Sequence, residues 1–210
     1  MLRTNEIFII GGGPSLKDFD FNLLKDKETI AVNMSALDVP CPTYSITADS
    51  SIFRKLCKGD FCGVSTTWVV VSNPNHCSMK FRNGRFQHNN GYVYNPFAAH
   101  MLIRNAGVEG IGFSFNDFRT GYNSGFCAFQ LAVLLGYQKI YLLGFDLQGT
   151  HYHSYYGNRK ISDNDFTRYF QNFIDAFSII KMRADIEVIS CSPISSLNKD
   201  IKYKSVKELL

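Results

Sequence analysis

The chain has 210 residues, 45% of them hydrophobic, and its 22 basic and 18 acidic residues give a formal net charge of +4 at pH 7. This length predicts one well-buried domain spanning residues 1–210 and is short for two. The small positive charge suits an anionic ligand without requiring a nucleic acid. The apolar run near the N-terminus is too short for a signal peptide or a membrane span, so we expect a cytoplasmic protein.

Six short apolar runs, each bounded by turn residues, predict buried β-strands. They are Ile7–Ile10, Thr29–Val32, Tyr44–Thr47, Trp68–Val71, Lys139–Leu143 and Glu187–Ile189. Segments between them predict the helices Leu16–Leu24, Ser51–Leu56, Ser124–Leu135 and Asp165–Arg183. The alternation of strand and helix predicts an α/β fold, Rossmann-like and doubly wound, with a mainly parallel sheet.

Two segments are too long and too polar to be ordinary connections. Residues 73–100 are rich in Asn, His, Arg and Gly, and residues 147–164 read LQGTHYHSYYGNRKISDN. Long loops on a rigid scaffold often carry function. We interpret residues 147–164, hereafter the lid, as a loop that closes over a bound ligand.

Six cysteines lie at irregular spacings without a C-x-x-C pair, at positions 41, 57, 62, 77, 127 and 191. Cys127 and Cys191 fall inside apolar segments, where a thiol behaves as a small hydrophobic side chain. The pattern predicts reduced thiols and no zinc site. We expect no resident metal or cofactor.

The stretch IFIIGGGPSLKDFD places Gly11, Gly12 and Gly13 directly after the first predicted strand. Ser15 is predicted to open a helix, with Asp18 three residues later as a capping-box-like partner. Amides at such a helix start can bind an anion, and glycines let a phosphate or nucleoside approach the backbone. The stretch matches neither the G-x-G-x-x-G fingerprint nor the P-loop, so a plain strand-to-helix turn is the alternative.

Polar residues also follow three further predicted strands: Asn33, Asp49 and Asp146. The carboxyl ends of parallel strands share one edge of a sheet, where ligands bind at the switch of strand order. Each residue alone can be a cap or turn residue. Their convergence predicts a binding crevice.

A second helix start lies in the stretch YNSGFCAFQ, where Asn123, Ser124 and Gly125 precede a face of small residues. This start can present amides and a hydroxyl to the same crevice. A plain N-cap by Asn123 or Ser124 is the alternative.

The lid holds two histidines and three tyrosines within six residues: His151, Tyr152, His153, Tyr155 and Tyr156. Imidazole can act as a general base near neutral pH, and tyrosine hydroxyls can stabilise a leaving phosphate. We favour His153 as the base, with His151 and Tyr152 near the phosphate. Arg159 can clamp that phosphate, and solvation of a surface loop is the alternative for all of these side chains.

Four stretches resemble, in order and spacing, the bacterial lipooligosaccharide sialyltransferases of glycosyltransferase family 42 and related uncharacterised polysaccharide-biosynthesis and phage proteins. They are GGGPSLKDFDFNLL, AVNMSA, NSGFCAFQLAVLLGYQKIYLLGFDL and ISCSPISSLNKDIKYKSVKELL. The resemblance implies transfer of a sugar from a nucleotide-sugar donor to a hydroxyl acceptor. In that family the glycine turn, the Asn ending the second strand and the Ser-Gly helix start hold a cytidine nucleotide, and a lid histidine is the base. The residues that match are Gly11, Gly12, Gly13, Pro14, Ser15, Asn33, Ser124 and Gly125, with Asp146 at a strand tip and His151 or His153 in the lid.

Two other functions stay open. Asp49 also resembles its counterpart in the hydroxymethylpterin pyrophosphokinase-like family, so Asp49 and Asp146 can hold Mg²⁺ for a diphosphokinase. A non-catalytic nucleotide-binding module is the third reading. The acceptor is a glycan, or a modified DNA base if the chain is a phage enzyme, and a homo-oligomer stays open.

Overall fold

The computed structural model describes residues 5–72, 79–82, 85–88, 93–94, 99–157, 161–183 and 185–210. Its strands are β1 (Glu6–Ile10), β2 (Thr29–Val32), β3 (Tyr44–Thr47), β4 (Thr67–Ser72), β5 (Met79–Arg82), β6 (Arg85–His88), β7 (Val93–Tyr94), β8 (Met101–Arg104), β9 (Lys139–Leu143), β10 (Glu187–Ser190) and β11 (Lys202–Tyr203). Its α-helices are α1 (Ser50–Lys58), α2 (Ser124–Leu134) and α3 (Asp163–Arg183).

Eight strands form one sheet in the order β11-β10-β9-β1-β2-β3-β4-β8. Every neighbouring pair in this sheet is parallel. The α/β, doubly wound, parallel fold predicted from the sequence is therefore confirmed. Strands β5, β6 and β7 form a separate antiparallel sheet.

Both faces of the large sheet are buried, which explains the continuous apolar runs in its strands. In β1, Ile7 and Ile9 pack into the core on the side of α2 and α3. Phe8 and Ile10 alternate with them and pack into the second core, which α1 covers. Alternation along a strand thus sends every side chain of β1 after Glu6 into one core or the other.

Two sequence expectations are wrong. The predicted helix Leu16–Leu24 is two short 3₁₀ segments, Pro14–Leu16 and Phe21–Leu24, and Asp20 caps the second by accepting from Asn22 N. The predicted connection 73–100 contains strands β5, β6 and β7. Strands β8 and β11 were not foreseen, because each lies at an edge of the sheet and most of its side chains are not buried, so neither is a continuous run of buried apolar residues.

The five described cysteines form no disulfide with one another. Cys127 and Cys191 are buried, and burial raises the pKa of the Cys191 thiol to about 12. Cys77 lies outside the described residues. Among the described residues, no helix combines the length and hydropathy needed to cross a bilayer.

Candidate functional site

The order of the strands reverses between β1 and β9. From β1 the chain builds outward through β2, β3 and β4, whereas β9 leads to β10 and β11 on the other side. Such a switch point opens a crevice beyond the carboxyl ends of the two strands. The glycine turn follows β1 there, and Asp146 follows β9.

Asp146 joins these two strand ends. Its side chain is 1% exposed, and its Oδ2 accepts from Ser15 N at 2.7 Å while its Oδ1 accepts from Ser15 Oγ at 2.7 Å. Ser192 Oγ, beyond β10, also donates to Oδ1. Hydrogen bonds to a buried carboxylate are among the stronger ones in proteins. We call this group, Gly11–Ser15 with Asp146 and Ser192, the pinned turn.

The glycines of the pinned turn permit close packing against the end of β9. A Cβ on Gly11 would lie 2.6 Å from Gly144 O, and a Cβ on Gly13 would lie 2.5 Å from Asp146 Oδ2. A Cβ on Gly12 would instead meet the His151 ring, at 2.8 Å from Nδ1. Gly12 is therefore the glycine of this turn that faces the lid.

Three amides of the glycine turn already have acceptors within the fold. Gly11 N donates to Leu143 O, Gly13 N to Gly144 O and Ser15 N to Asp146, so these three amides already have protein acceptors. The predicted capping box is wrong because Gly13 is at the N-cap position and Ser15 binds Asp146. Pro14 begins the 3₁₀ turn, where a missing N–H does no harm.

Asn33 and Asp49 both lie at the predicted strand ends, in different local roles. Asn33 follows β2 with a left-handed backbone, φ 56°, and its buried Oδ1 has no hydrogen-bond partner among the described residues. Asp49 caps α1, because its Oδ1 accepts from Ser51 N at 2.7 Å. A helix cap was the alternative interpretation of Asp49 from the sequence, and Asp49 has that role in the structure.

The start of α2 is capped and packed tightly on the sheet. Asn123 caps the helix by accepting from Phe126 N at 2.8 Å. Ser124 Oγ accepts from Ala48 N at 3.0 Å, which ties α2 to the end of β3. A Cβ on Gly125 would lie 3.0 Å from the Phe145 ring, so glycine allows the helix to approach. Asn123, Ser124 and Gly125 all line the crevice.

The first half of the lid contacts the pinned turn directly. Tyr152 N donates to Gly12 O at 3.0 Å, and the His151 Nδ1 atom lies 3.3 Å from the same oxygen. The Tyr152 hydroxyl donates to Asp38 Oδ2 at 2.7 Å. Burial raises the pKa of Tyr152 well above its ordinary value, so this hydroxyl remains protonated at neutral pH.

The second half of the lid forms a 3₁₀ turn, Ser154–Tyr156. His153 caps it, because Nδ1 accepts from Tyr155 N at 3.1 Å. The Tyr156 ring stacks on His151 at 4.0 Å, while the exposed Tyr155 ring lies 4.7 Å from Lys55 Nζ. Arg159, predicted to clamp the phosphate, lies outside the described residues.

Burial is the main reason that the pKa of Tyr156 is raised, and the negative charge of Asp49 adds to it. The Asn33 side chain and the Met34 backbone, which face the hydroxyl, act in the opposite direction. Tyr156 is therefore a protonated hydroxyl at neutral pH.

Two connected spaces lie under and beside the lid. The inner crevice has a cavity of about 130 Å³ and is lined by the glycine turn, the start of α2, Asp146 and the lid. The outer groove is larger, about 730 Å³, and is lined by Asp49, Tyr122 and Arg168 among others. His151 and Tyr156 line both spaces.

A magnesium site at Asp49 and Asp146 does not fit this geometry. Both oxygens of Asp146 already accept hydrogen bonds, and Asp49 caps a helix. Within the part of the chain that the structure describes, no group of three or more His, Cys, Asp or Glu side chains could hold a metal ion.

Several residues of the site were missed from the sequence. They are Ser35, Asp38, Tyr122, Arg168, Tyr169 and Ser192. Ser35 Oγ donates to Gly11 O at 2.6 Å, and this bond has no sequence signal because its partners are distant in the chain. Arg168 and Tyr169 belong to α3, where the sequence signal was the apolar stripe of a packed helix. The polar residues in the first turns of α3 were the sequence signal that could have identified Arg168 and Tyr169.

No family model and no curated protein matches the chain. Among solved structures, the chain is similar to the MAf glycosyltransferase from Magnetospirillum magneticum AMB-1, with a TM-score of 0.60 and 13% identity over 98% of this chain. It spans 34% of the length of that protein.

The chain is also similar to sialyltransferases. For CST-II in complex with a trisaccharide acceptor and CMP, the TM-score is 0.54 and the identity 18%, over 94% of this chain and 85% of that one. For CstII from Campylobacter jejuni in complex with cytidine-5'-monophosphate, the TM-score is 0.53 and the identity 16%, over 97% and 86%. The chain thus shares its overall fold with these transferases, as the sequence resemblance implied.

Proposed function

We propose that this protein is a glycosyltransferase that moves a sugar from a nucleotide-sugar donor to a hydroxyl of its acceptor. One observation carries the proposal. At the switch point of a glycosyltransferase fold, the glycine turn, the start of α2 and a histidine-bearing lid line the same crevice. Polar groups that converge on a crevice at this edge of the sheet are typical of nucleotide binding.

The inner crevice is the proposed donor site. Its cavity of about 130 Å³ is smaller than the roughly 300 Å³ at which ligand pockets begin, so the lid has to open to admit a nucleotide sugar. A cytidine nucleotide is the first donor to test, because two of the similar structures contain CMP. Closure of the lid would then exclude water that would hydrolyse the donor.

His151 is the proposed general base, in preference to His153. His151 contacts Gly12, stacks on Tyr156 and lines both spaces, whereas His153 uses Nδ1 to cap the lid turn. If His151 Nδ1–H donates to Gly12 O, this hydrogen bond selects the tautomer in which Nε2 is the unprotonated ring nitrogen, the one that can take a proton. This tautomer suits a base that acts on an acceptor hydroxyl.

The proposed reaction has a simple balance. The acceptor oxygen forms a bond to the anomeric carbon of the sugar while the bond from that carbon to the donor phosphate breaks, and its electron pair leaves with the phosphate. The acceptor proton passes to His151. The Tyr156 hydroxyl, kept protonated by burial, can donate a hydrogen bond to the leaving phosphate.

The function is tested by thermal shift with a panel of nucleotides and nucleotide sugars, followed by a transfer assay with and without a chelator. We expect a nucleotide to raise the melting temperature, because binding to the folded state stabilises it. Transfer that survives chelation would support the proposal. Loss of activity on chelation would support the diphosphokinase, and binding without consumption of any donor would support the non-catalytic module.

The base is tested with His151→Ala and His153→Ala as a matched pair. His151→Ala should lower kcat by about 10²–10⁴-fold with little change in donor affinity, the range for loss of a positioned base. His153→Ala should retain most of the rate. The opposite ranking would return the base to His153, and no effect in the double variant would contradict a lid base.

A further inference from the structure

Arg168 is the only lysine or arginine among the described residues that line the inner crevice and the outer groove. It lies on α3, just after the lid, and lines the outer groove together with His151, Tyr156 and Tyr122. Arg168 therefore brings a permanent positive charge close to His151, the proposed base, and to Tyr156, the proposed donor to the leaving phosphate.

The guanidinium of Arg168 is held on two sides. It lies 4.3 Å from the centroid of the Tyr122 ring, within the range of a cation–π contact. Its Nη2 donates to Asp165 Oδ1, and the other oxygen of Asp165 accepts from Ser162 Oγ at 2.7 Å. A fixed guanidinium loses less conformational freedom when a ligand binds.

Arg168 still has donors to offer. A guanidinium carries five N–H groups, and that of Arg168 has two side-chain hydrogen-bond partners, Asp165 through Nη2 and the Tyr122 hydroxyl. The remaining N–H groups can bind the oxygens of a phosphate or carboxylate. Such planar, paired donation is the chemistry for which arginine is suited.

The glycine turn offers few means of balancing an anionic group. The amides of Gly11, Gly13 and Ser15 donate to protein acceptors, and the acceptor of Ser15 N is the Asp146 side chain. Uncharged hydroxyls such as that of Tyr156 donate hydrogen bonds but bring no positive charge. A leaving phosphate gains charge as its bond to the sugar breaks, so a cation nearby would favour the reaction.

We propose that Arg168, held by Asp165 and Tyr122, is the cation that binds an anionic phosphate or carboxylate group of the substrate. The inference rests on the proposed function and goes beyond it by assigning the charge of the group bound in the outer groove. Two sources share this chemistry. The group is either the phosphate of the donor nucleotide or a charged group on the acceptor.

The donor arm of the test compares CMP with cytidine by isothermal titration, using the full chain and its Arg168→Gln variant. If Arg168 binds the donor phosphate, Arg168→Gln should lower the affinity for CMP by about 10- to 100-fold, the range for hydrogen bonds to charged groups. The affinity for cytidine should stay unchanged. Arg104→Gln is the matched control, because Arg104 is an exposed arginine on the edge strand β8.

The acceptor arm compares the KM of a carboxylated oligosaccharide with that of its neutral counterpart. If Arg168→Gln raises the KM of the carboxylated oligosaccharide and leaves that of the neutral one unchanged, the anionic group bound by Arg168 belongs to the acceptor. Asp165→Asn removes the charge that holds Arg168, so it should change the same quantity as Arg168→Gln, either the CMP affinity or the KM of the charged acceptor, but by less. Arg168→Lys keeps a positive charge and should show a smaller loss than Arg168→Gln.

The outcomes separate this inference from the proposed function. If the wild-type chain binds no nucleotide and transfers no sugar, the proposed function is contradicted and this inference with it. If the wild-type chain is active and Arg168→Gln changes neither the CMP-to-cytidine ratio nor the KM of the charged acceptor, the inference alone is overturned.

Discussion

The pinned turn and the lid face each other across the crevice and are held in opposite ways. At the pinned turn, one buried carboxylate, Asp146, accepts three hydrogen bonds from Ser15 and Ser192. The lid is held by separate contacts, some partly buried and some exposed, among them the hydrogen bond from the Tyr152 hydroxyl to Asp38 and the contact of Lys55 with the Tyr155 ring. If the lid opens as proposed, this difference predicts that the wall formed by the pinned turn stays in place while the other wall moves.

The strongest way to break this comparison is Asp146→Ala. The change leaves the Ser15 and Ser192 donors without their acceptor in a buried place, and should lower the free energy of unfolding by roughly 2–4 kcal/mol. Urea unfolding followed by circular dichroism measures it. Asp146→Asn, which keeps an acceptor oxygen, should lose less. A fully stable Asp146→Ala variant would show that the carboxylate does not pin the turn.

Two neighbouring glycines sharpen the contrast between the fixed wall and the movable one. In Gly13→Ala the new Cβ would lie 2.5 Å from Asp146 Oδ2 and 2.7 Å from Gly144 O, both held in place by the fold. We expect a loss of about 1–3 kcal/mol of stability, as for other overpacked sites. Thermal unfolding of the purified variant measures it.

The matched control is Gly12→Ala, whose Cβ would meet only the side chain of His151, at 2.8 Å from Nδ1. That ring can move with the lid, so the stability should change by less than about 0.5 kcal/mol. The transfer rate should nevertheless fall, because the proposed base is displaced. Equal destabilisation by the two alanines would mean that the lid is as rigid as the pinned turn.

The smallest expected effect concerns the hydroxyl that joins the lid to Asp38. Tyr152→Phe removes one hydrogen bond and should lower stability by about 0.5–1.5 kcal/mol. Amide exchange of the lid should increase while that of β1 and β9 stays unchanged. Exchange that increases in the whole sheet would indicate that lid and body unfold together.

The same hydroxyl gives a dependence on pH. The folded protein raises the pKa of Tyr152 above the ordinary value of 10.0, chiefly by burial. The contribution of the Tyr152 hydroxyl to stability is therefore fully present below pH 10 and declines as the pH rises above it, because the unfolded chain loses the proton at a lower pH than the folded one. Unfolding measured between about pH 8 and about pH 11 should show a shallower decline for Tyr152→Phe than for the wild type.

The sheet was predictable from the sequence because each buried strand is a short apolar run that ends at a turn residue. The predicted helix Leu16–Leu24 failed because Ser15, a good N-cap residue in isolation, binds Asp146 instead. The same limit applies to the site. Strand ends place Asn33, Asp49 and Asp146 on one edge, but nothing local distinguishes the aspartate that caps α1 from the one that joins three strand ends.

The central position of β1 has a consequence for how the chain reaches its native state. One edge of β1 pairs with β2 soon after synthesis, but the other edge waits for β9, since Phe8 pairs with Tyr141. Until β9 has emerged from the ribosome, this central strand presents an open edge that could pair with another chain. The crevice is thus among the last parts of the molecule to be assembled, and nascent chains arrested before β9 should depend on chaperones more than the finished protein does.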